Sequence, residues 1–452
     1  MSYPVQRAGG STSLAVAVGD RGRDERPGGS CVIRTGTVVV GAGQAGLAVS
    51  SLLSKTGEDH VVLERDRVAH RWRTERWESL RMITPNWMAR LPDWSYTGDD
   101  PDGYMTGAQV AQYLSAYRRS FGAPVREHTH VEAIHKAARG FSVRTDQGSW
   151  LARNVVLATG ATGAPLIPSA SADLAPGVWQ LPLRDYRGPG QLPSGGVLIV
   201  GASASGLSVA DELARAGRNV VLSVGTHTWL PRQLAGRDIW WWLHEAGWLG
   251  QTIDKVPDAR IARREPRLQL VGRRGEDLAL ADLADRGVRL AGRLRAADAS
   301  QVRFADDLPA TLRAARASSA NLLRILPGVH SAHEIPQPAD PVVHRMTELD
   351  LRRAGISTVL WATGYRPSYP YLHAPVLDHA GEIIQHRGVT PTVGLYVVGT
   401  RFQHRRDSAF LDGVRHDARA VVNQLTGRPA DRQTTNPLRR AAASAFIGAH
   451  AA

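Results

Sequence analysis

"VLIVGASASGLSVADELARAG" (197–217) passes from a string of β-formers through a glycine-rich turn into an alanine-rich helix. "TVVVGAGQAGLAVSSLL" (37–53) carries the same grammar near the start of the chain. In that earlier copy the turn reads Gly41-Ala42-Gly43-Gln44-Ala45-Gly46. A strand over Thr37 to Val40 is predicted to lead into it, and a helix to begin near Gln44. The first glycine permits the tight bend, the second lets backbone approach a pyrophosphate, and the third lets helix and strand pack closely. The helix start then turns free N–H groups and its positive dipole end toward the phosphates. The next strand, "HVVLER", ends on Glu64 and Arg65, about 20 residues after the first glycine, where a carboxylate binds a ribose diol. This order makes Gly41, Gly43, Gln44, Ala45, Gly46, Glu64 and Arg65 the candidate contacts for a first dinucleotide.

The later turn, Gly201-Ala202-Ser203-Ala204-Ser205-Gly206, keeps its outer glycines and has serine in the middle. Ser203 is small enough for phosphate approach and adds a hydroxyl donor. Gly201, Ser203, Ala204, Ser205 and Gly206 are therefore the candidates for a second dinucleotide. Its following strand, "NVVLSVG", ends without an acid, on Gly225, Thr226 and His227. An acid there would repel a 2′-phosphate, so its absence favours NADPH, with NADH as the alternative. Arg218 and Arg232 are the nearest cations in sequence, and Arg232 is the candidate for the nucleotide. Two such folds in one chain suit a tightly held flavin that accepts hydride from a visiting nicotinamide.

The 452 residues are enough for two or three domains, and 43% hydrophobic with 21% charged residues fits a soluble globular protein. The single cysteine, Cys31, excludes a disulfide framework and thiol-pair redox chemistry, and it fits a reducing, cytoplasmic setting. The net charge of +13 comes almost wholly from arginine, since Lys55, Lys136 and Lys255 are the only lysines. The arginines are dispersed, without a basic block interleaved with aromatics, which argues against nucleic acid. No membrane span or signal-peptide apolar region is expected. Strands alternating with helices indicate α/β architecture with largely parallel sheets.

Three further stretches bear on function. "GRDIWWWLHEAGWLG" (236–250) predicts a helix capped by Asp238 and stopped at Gly247. Trp240 to Trp242 would then span roughly 200° of its surface, so one of them is expected to leave the core, as a wall of a substrate channel or in packing between domains. "HTH" (128–130) sets two histidines on one face of an expected strand, with no third ligand to make a metal site. "RFQHRRDS" (401–408) is a basic run beside the expected flavin, whose Arg401, Arg405 or Arg406 either binds an anionic substrate or faces solvent. No nucleophile elbow, His-Glu-x-x-His or Walker loop is present, and no side chain stands out as a general acid or base.

From about 35 to 425 the chain resembles the flavin-containing monooxygenase-like family of two-dinucleotide-binding-domain flavoproteins, which has YUCCA and Baeyer–Villiger relatives. Besides the two turns, the resemblance rests on "VVLATGATGAPLIP" (155–168) and "TVLWATGYRP" (358–367), similar to the paired strand ends by which the chain leaves and re-enters the flavin domain. It also rests on "WRTERWESLRMITP" (72–85) and "GLYVVGTRFQHRRDSAFLDGVRHDARAVV" (394–422). The resemblance implies two Rossmann-like domains, the NAD(P)-binding one inserted into the FAD-binding one. The implied boundaries are a disordered tail over 1–34, an FAD domain over 35–168 and 336–425, an NAD(P)H domain over 169–335, and a C-terminal tail over 426–452. It adds Trp72, Thr159, Gly160, Thr363, Gly364, Asp412 and Asp417 to the cofactor contacts.

The implied activity is that of an FAD-dependent, NAD(P)H-consuming monooxygenase, which passes one oxygen atom from O2 through a peroxyflavin to a small organic substrate. Two departures point to an alternative, an oxidase or reductase without oxygen transfer, or a flavoprotein with a non-catalytic second fold. In the family's Phe-x-Gly-x-x-x-His-x-x-x-Trp/Tyr fingerprint this chain has Pro176, Val178, Pro182 and Tyr186, of which only Tyr186 matches. The position of an asparagine that helps hold the peroxyflavin is Ile83, and Asn86 is not its aligned substitute.

Overall fold

The computed structural model of the chain describes residues 32–263, 268–273, 275–327 and 336–428. Two sheets organise it. The first contains β1 (Val32–Val40), β2 (His60–Leu63), β3 (Val125–Arg126), β4 (Val131–Ala137), β5 (Gly140–Thr145) and β6 (Gly148–Leu157), in the order β3-β2-β1-β6-β5-β4. The second contains β7 (Trp179–Pro182), β8 (Gly196–Val200), β9 (Val220–Ser223), β10 (Arg289–Ala291) and β11 (Ile356–Trp361), all parallel, in the order β7-β11-β8-β9-β10. A last strand, β12 (Leu395–Val397), returns to the first sheet and pairs in parallel with β6.

The central strands are unbroken apolar runs because both faces of each sheet are covered. Val39 enters one core and Val38 and Val40 the opposite one. Val197 and Ile199 likewise face away from Leu198 and Val200. At roughly 2 kcal/mol for each fully buried aliphatic side chain, these runs of three and four residues anchor the two units. Helix α1 (Gln44–Thr56) follows the first turn and ends where Gly57, at φ 72°, returns its N–H to Leu53 and Ser54 carbonyls. Three other helices matter to the site: α2 (His70–Thr74), α3 (Gly107–Ser120) and α4 (Ala204–Arg215). Two more, α5 (Ile239–Glu245) and α6 (Val414–Leu425), belong to later segments. Helix α6 packs beside α1, with Val414, Ala418 and Val421 in one core with Leu47 and Val49.

The echo between the glycine turns extends through whole units. β1 lies between β2 and β6, and β8 lies between β9 and β11. Gly41 N–H donates to Leu63 and Gly201 N–H to Ser223, each at the end of the neighbouring strand. Ala158 N–H donates to Val40 and Ala362 N–H to Val200 on the other side. β11 is thus the counterpart of β6, and this corrects the expected boundary at 335/336. The strands Glu348–Asp350 and Ile356–Trp361 still pair within the second unit, so the return crossing follows Trp361. The first strand also begins earlier than expected, at Val32, which pairs with Ser149. The rest of the expected N-terminal tail, and most of the C-terminal one, lie outside the described residues.

The histidines of "HTH" are not on a strand. They occupy the link between β3 and β4, with His128 in the left-handed region at φ 54°, so alternation gives them no common face. Helix α5 does begin at Asp238, whose carboxylate accepts the Trp240 N–H. Its tryptophans are accounted for by packing. Trp240 is fully buried, its indole N–H 2.6 Å from the Ile83 carbonyl and its ring edge-on to Phe410. Trp242 donates to Leu234 at 2.8 Å, and Trp241 lies under the Arg237 guanidinium.

Arg232 closes this contact between units. Only 1% exposed, it pairs with Asp238, donates to the carbonyls of Ile83 at 2.8 Å and Val271 at 3.0 Å, and covers the Tyr104 ring. Tyr104 in turn donates its hydroxyl to Asp238 at 2.7 Å. Removing one member of a buried pair leaves the other charge uncompensated, at a cost of about 3 kcal/mol. Arg232→Met is therefore expected to lower the denaturation free energy by about that amount, read from urea midpoints. An unchanged midpoint would show that the clamp holds nothing.

Candidate functional site

The first turn opens onto a cleft of ≈ 440 Å³. Its lining brings together nine of the residues expected from sequence: Gly41, Gly43, Gln44, Ala45, Glu64, Arg65, Trp72, Thr159 and Gly160. Gly46 lies beneath, where a Cβ would fall 1.9 Å from the Gly41 carbonyl oxygen. Gly41 itself sits at φ 101°, with the Ala158 carbonyl 2.8 Å from where a Cβ would stand. Both positions therefore demand glycine on internal grounds. Gly43 does not, since a Cβ there would meet nothing within 4 Å, and its bare face borders the cleft. No side chain caps α1 at Gly43, which leaves its first N–H groups for an anion. This donor set and open face fit a dinucleotide diphosphate.

Glu64 is held in position by the turn. One carboxylate oxygen accepts the Ala42 N–H at 2.7 Å and the other the Asp66 N–H at 3.1 Å. Thr159 shares a hydrogen bond of 3.1 Å with the Tyr371 hydroxyl, across the far wall. Gln44 donates its side-chain amide to the Ala409 carbonyl at 2.9 Å, tying the start of α1 to the loop that precedes α6. The sequence reading missed Arg71, Arg76, Thr129, His130, Ser368 and Tyr371, all on the cleft wall. Arg71 and Arg76 were legible only as neighbours of Trp72.

The second turn reproduces the backbone of the first. Gly201 sits at φ 109°, a Cβ on Gly206 would fall 1.9 Å from the Gly201 oxygen, and Ser203 begins α4 without capping it. Ser203, Ala204 and Ser205 form the helix start, and the Gln269 amide holds the Ala202 carbonyl from below. Thr363 and Gly364 follow β11 as Thr159 and Gly160 follow β6, and Thr363 donates to the Leu166 carbonyl on the outgoing crossover. The residue matching Glu64 is Val224, buried and apolar. The expected cation does not serve here, because Arg232 is spent on the contact with Ile83. Arg218 points to the wrong end of the sheet, bonded to Gly195 and Pro193. The cation that does reach this edge is Arg293, just past β10, which donates to the Thr226 hydroxyl at 2.7 Å. Only the pairing of β9 with β10 brings it there.

Asp412 and Asp417 stand behind the loop rather than on the cleft wall. Asp412, 2% exposed, pairs with Arg90 at 2.7 Å and Arg415 at 2.9 Å. Asp417 is fully buried in the first turn of α6, with His404 3.9 Å away. Burial, reinforced by Asp407 and opposed by the Ser408 hydroxyl and Arg405, pushes its carboxyl up to about 7. Burial likewise pushes His404 down to about 4.

Comparison with known proteins agrees with this geometry. Residues 38–242 match the family model described as pyridine nucleotide-disulphide oxidoreductase. An uncharacterized CzcO-like oxidoreductase of Geobacillus kaustophilus is 30% identical over 399 residues, covering 86% of this chain and 97% of that one. The probable indole-3-pyruvate monooxygenase YUCCA3 of Arabidopsis thaliana is 30% identical over 221 residues, 46% of this chain and 50% of that one. Among solved structures, a flavin-containing monooxygenase from Stenotrophomonas maltophilia shares the fold with a TM-score of 0.62, at 21% identity, over 87% of this chain and 98% of that one. The chain belongs to the family of CzcO-like oxidoreductases, and it shares the fold of a flavin-containing monooxygenase. No helix among the described residues is long and apolar enough to cross a membrane.

The raised Asp417 carboxyl has a measurable consequence. Between about pH 4 and 7 the folded chain keeps a proton that the unfolded chain has released, so wild-type stability falls as pH rises through that window. Asp417→Asn removes this penalty. The stability difference, variant minus wild type, is expected to grow by on the order of 2 kcal/mol from pH 5 to pH 8. Thermal melts at the two pH values check it, and a constant difference would contradict the assignment.

Proposed function

We propose that the chain is an FAD-dependent, NADPH-consuming monooxygenase that transfers one oxygen atom from O2 to a small organic substrate. The observation that carries this reading is the doubled unit: one glycine turn has an acid at its ribose position, and the other has none and an arginine nearby. In this reading residues 32–168 and about 362–428 hold FAD, and 169–361 hold NADPH. Gly41, Gly43, Gln44 and Ala45 cradle the FAD diphosphate, and Glu64 holds the adenosine ribose. Trp72, Thr159 and Gly160 form walls, with Arg65 at the rim. Asp412 acts at a distance, fixing Arg90 and Arg415 behind the loop that begins at Gly399, and Asp417 holds a proton there.

Around the second turn, Gly201, Ser203, Ala204, Ser205 and Gly206 cradle the NADPH diphosphate, with Thr363 and Gly364 beside them. The buried Val224 offers a 2′-phosphate no repulsion, and Thr226 with Arg293 offers it a hydroxyl and a guanidinium. When bound, the flavin supplies the two-electron and oxygen chemistry. The protein supplies placement, which is consistent with the lack of an evident general acid or base. Both turns lie at the carboxyl edges of their sheets, and the crossovers at 158–168 and 362–370 join them. This neck is where the reacting ends of the two bound cofactors would have to approach one another.

One observation supports a second reading, an oxidase or reductase without oxygen transfer. Ile83 has no polar side chain to offer a reacting oxygen. The amide of Asn86 is already committed, donating to Asp100 at 2.9 Å and accepting from Met105 at 2.8 Å. Turnover under isotopically labelled O2 separates the two: labelled product supports the monooxygenase, whereas unlabelled product with stoichiometric peroxide rejects it. Arg293→Gln is expected to weaken NADPH binding about tenfold and leave NADH nearly unchanged, as measured by titration. Equal losses for both nucleotides would remove Arg293 from the 2′-phosphate.

A further inference from the structure

The neck of the cleft holds more cationic charge than its own carboxylates occupy. The two crossovers pair there as a short antiparallel ladder, Ala164–Pro165 with Tyr365–Arg366. Arg71 donates to the Thr162 carbonyl and hydroxyl, both at 3.0 Å, and Arg184 donates to the Gly163 carbonyl at 3.4 Å. Between them lies Glu75, buried, with one oxygen 3.0 Å from Arg184 and 3.7 Å from Arg71. That carboxylate is already shared by two guanidinium groups.

Arg76 is the third. It lines the cleft, half-buried, with its guanidinium 4.9 Å over the Trp72 ring. Among the described residues its one hydrogen-bond acceptor is the Glu75 main-chain carbonyl at 2.7 Å, and no carboxylate lies within ion-pair distance. Burial above all holds its pKa below the ordinary guanidinium value, with Arg71 and Arg184 adding to the effect against Tyr365 and Glu75. A guanidinium does not lose its proton at neutral pH, so a half-buried one without a carboxylate partner is open to a ligand that supplies the charge. The cofactor diphosphate has its own cradle at the α1 N-terminus. An anion at Arg76 would lie instead on the α2 wall, beside the ladder of crossovers.

We propose that Arg76 anchors the carboxylate of an organic-acid substrate, held in the neck with its apolar body along Trp72. Planar, bidentate carboxylate recognition is what a guanidinium does better than an ammonium, and the indole beneath it keeps the fork oriented. This inference rests on the reading of the cleft as the flavin site and the neck as the place of reaction.

The test uses the yellow holoprotein and the change in flavin absorbance on adding benzoate, hexanoate or the neutral isostere benzamide. At least one carboxylate is expected to perturb the spectrum saturably, and benzamide to do so far more weakly. Arg76→Gln is expected to weaken that carboxylate tenfold to a hundredfold, and Arg76→Lys to recover part of the loss, with flavin retained in both. Three outcomes would overturn the proposal: no response to either carboxylate, equal binding of benzoate and benzamide, or loss of flavin from Arg76→Gln with carboxylate affinity unchanged in the remaining holoprotein. A wild-type protein that purifies colourless and takes up no added FAD would instead defeat the flavin reading on which the proposal stands.

Discussion

A van der Waals limit sets the rest of the structure. In each unit the third glycine of the turn brings helix and strand so close that a Cβ would overlap the first glycine's carbonyl, at 1.9 Å for both Gly46 and Gly206. The first glycine adopts a left-handed φ that a side chain would strain, against the carbonyl of Ala158 in one unit and Ala362 in the other. This contact decides the direction in which α1 and α4 leave their strands. Their uncapped N-termini are thereby set at the carboxyl edge of each sheet, where α/β sheets bind ligands. The alanines that receive the contact begin the two crossovers, so the same packing that builds each turn also fixes where the chain passes between units.

The units are then held by polar groups buried between them, beside an apolar cluster in which Met88 and Phe410 pack with Leu230, Ile239 and Trp240. The Ile83 carbonyl receives both Arg232 and Trp240, and Tyr104 reaches across to Asp238. On the other side, Gln251 bonds Arg406 and Ile253 bonds the His404 carbonyl. The first set grips the segment that follows α2, and the second grips the loop between β12 and α6. Both segments border the cleft at the first glycine turn through Arg76 and Ala409. Interdomain geometry and the shape of the cleft are therefore mechanically linked.

What could be read from the sequence was what local chemistry dictates. The turns, the helices that follow them and the position of Glu64 depend on φ, close packing and spacing along one segment, and these all appear where expected. The tertiary pairing of β11 was invisible, because nothing in "ISTVLW" says whether it joins the first sheet or inserts between β7 and β8. The boundary was consequently set too early. Arg232 shows a second limit. Its sequence neighbourhood suggests a free cation, but its partner carbonyl at Ile83 is 149 residues away. Arg293 failed to register for the complementary reason, since its neighbour Thr226 lies across two strands. The histidines at 128 and 130 sit beside the β-branched Thr129 and Val131, which favour a strand, but the chain bends at His128, a left-handed residue.

In the proposed function, two copies of one fold face each other as a hydride port. Anaerobic mixing of the purified yellow protein with NADPH, and separately with NADH, tests it most directly through loss of the flavin's visible absorbance. Rapid bleaching by NADPH and slower bleaching by NADH are expected. If dithionite bleached the flavin and neither nucleotide did, the second glycine turn would not deliver hydride, and the claim would be contradicted.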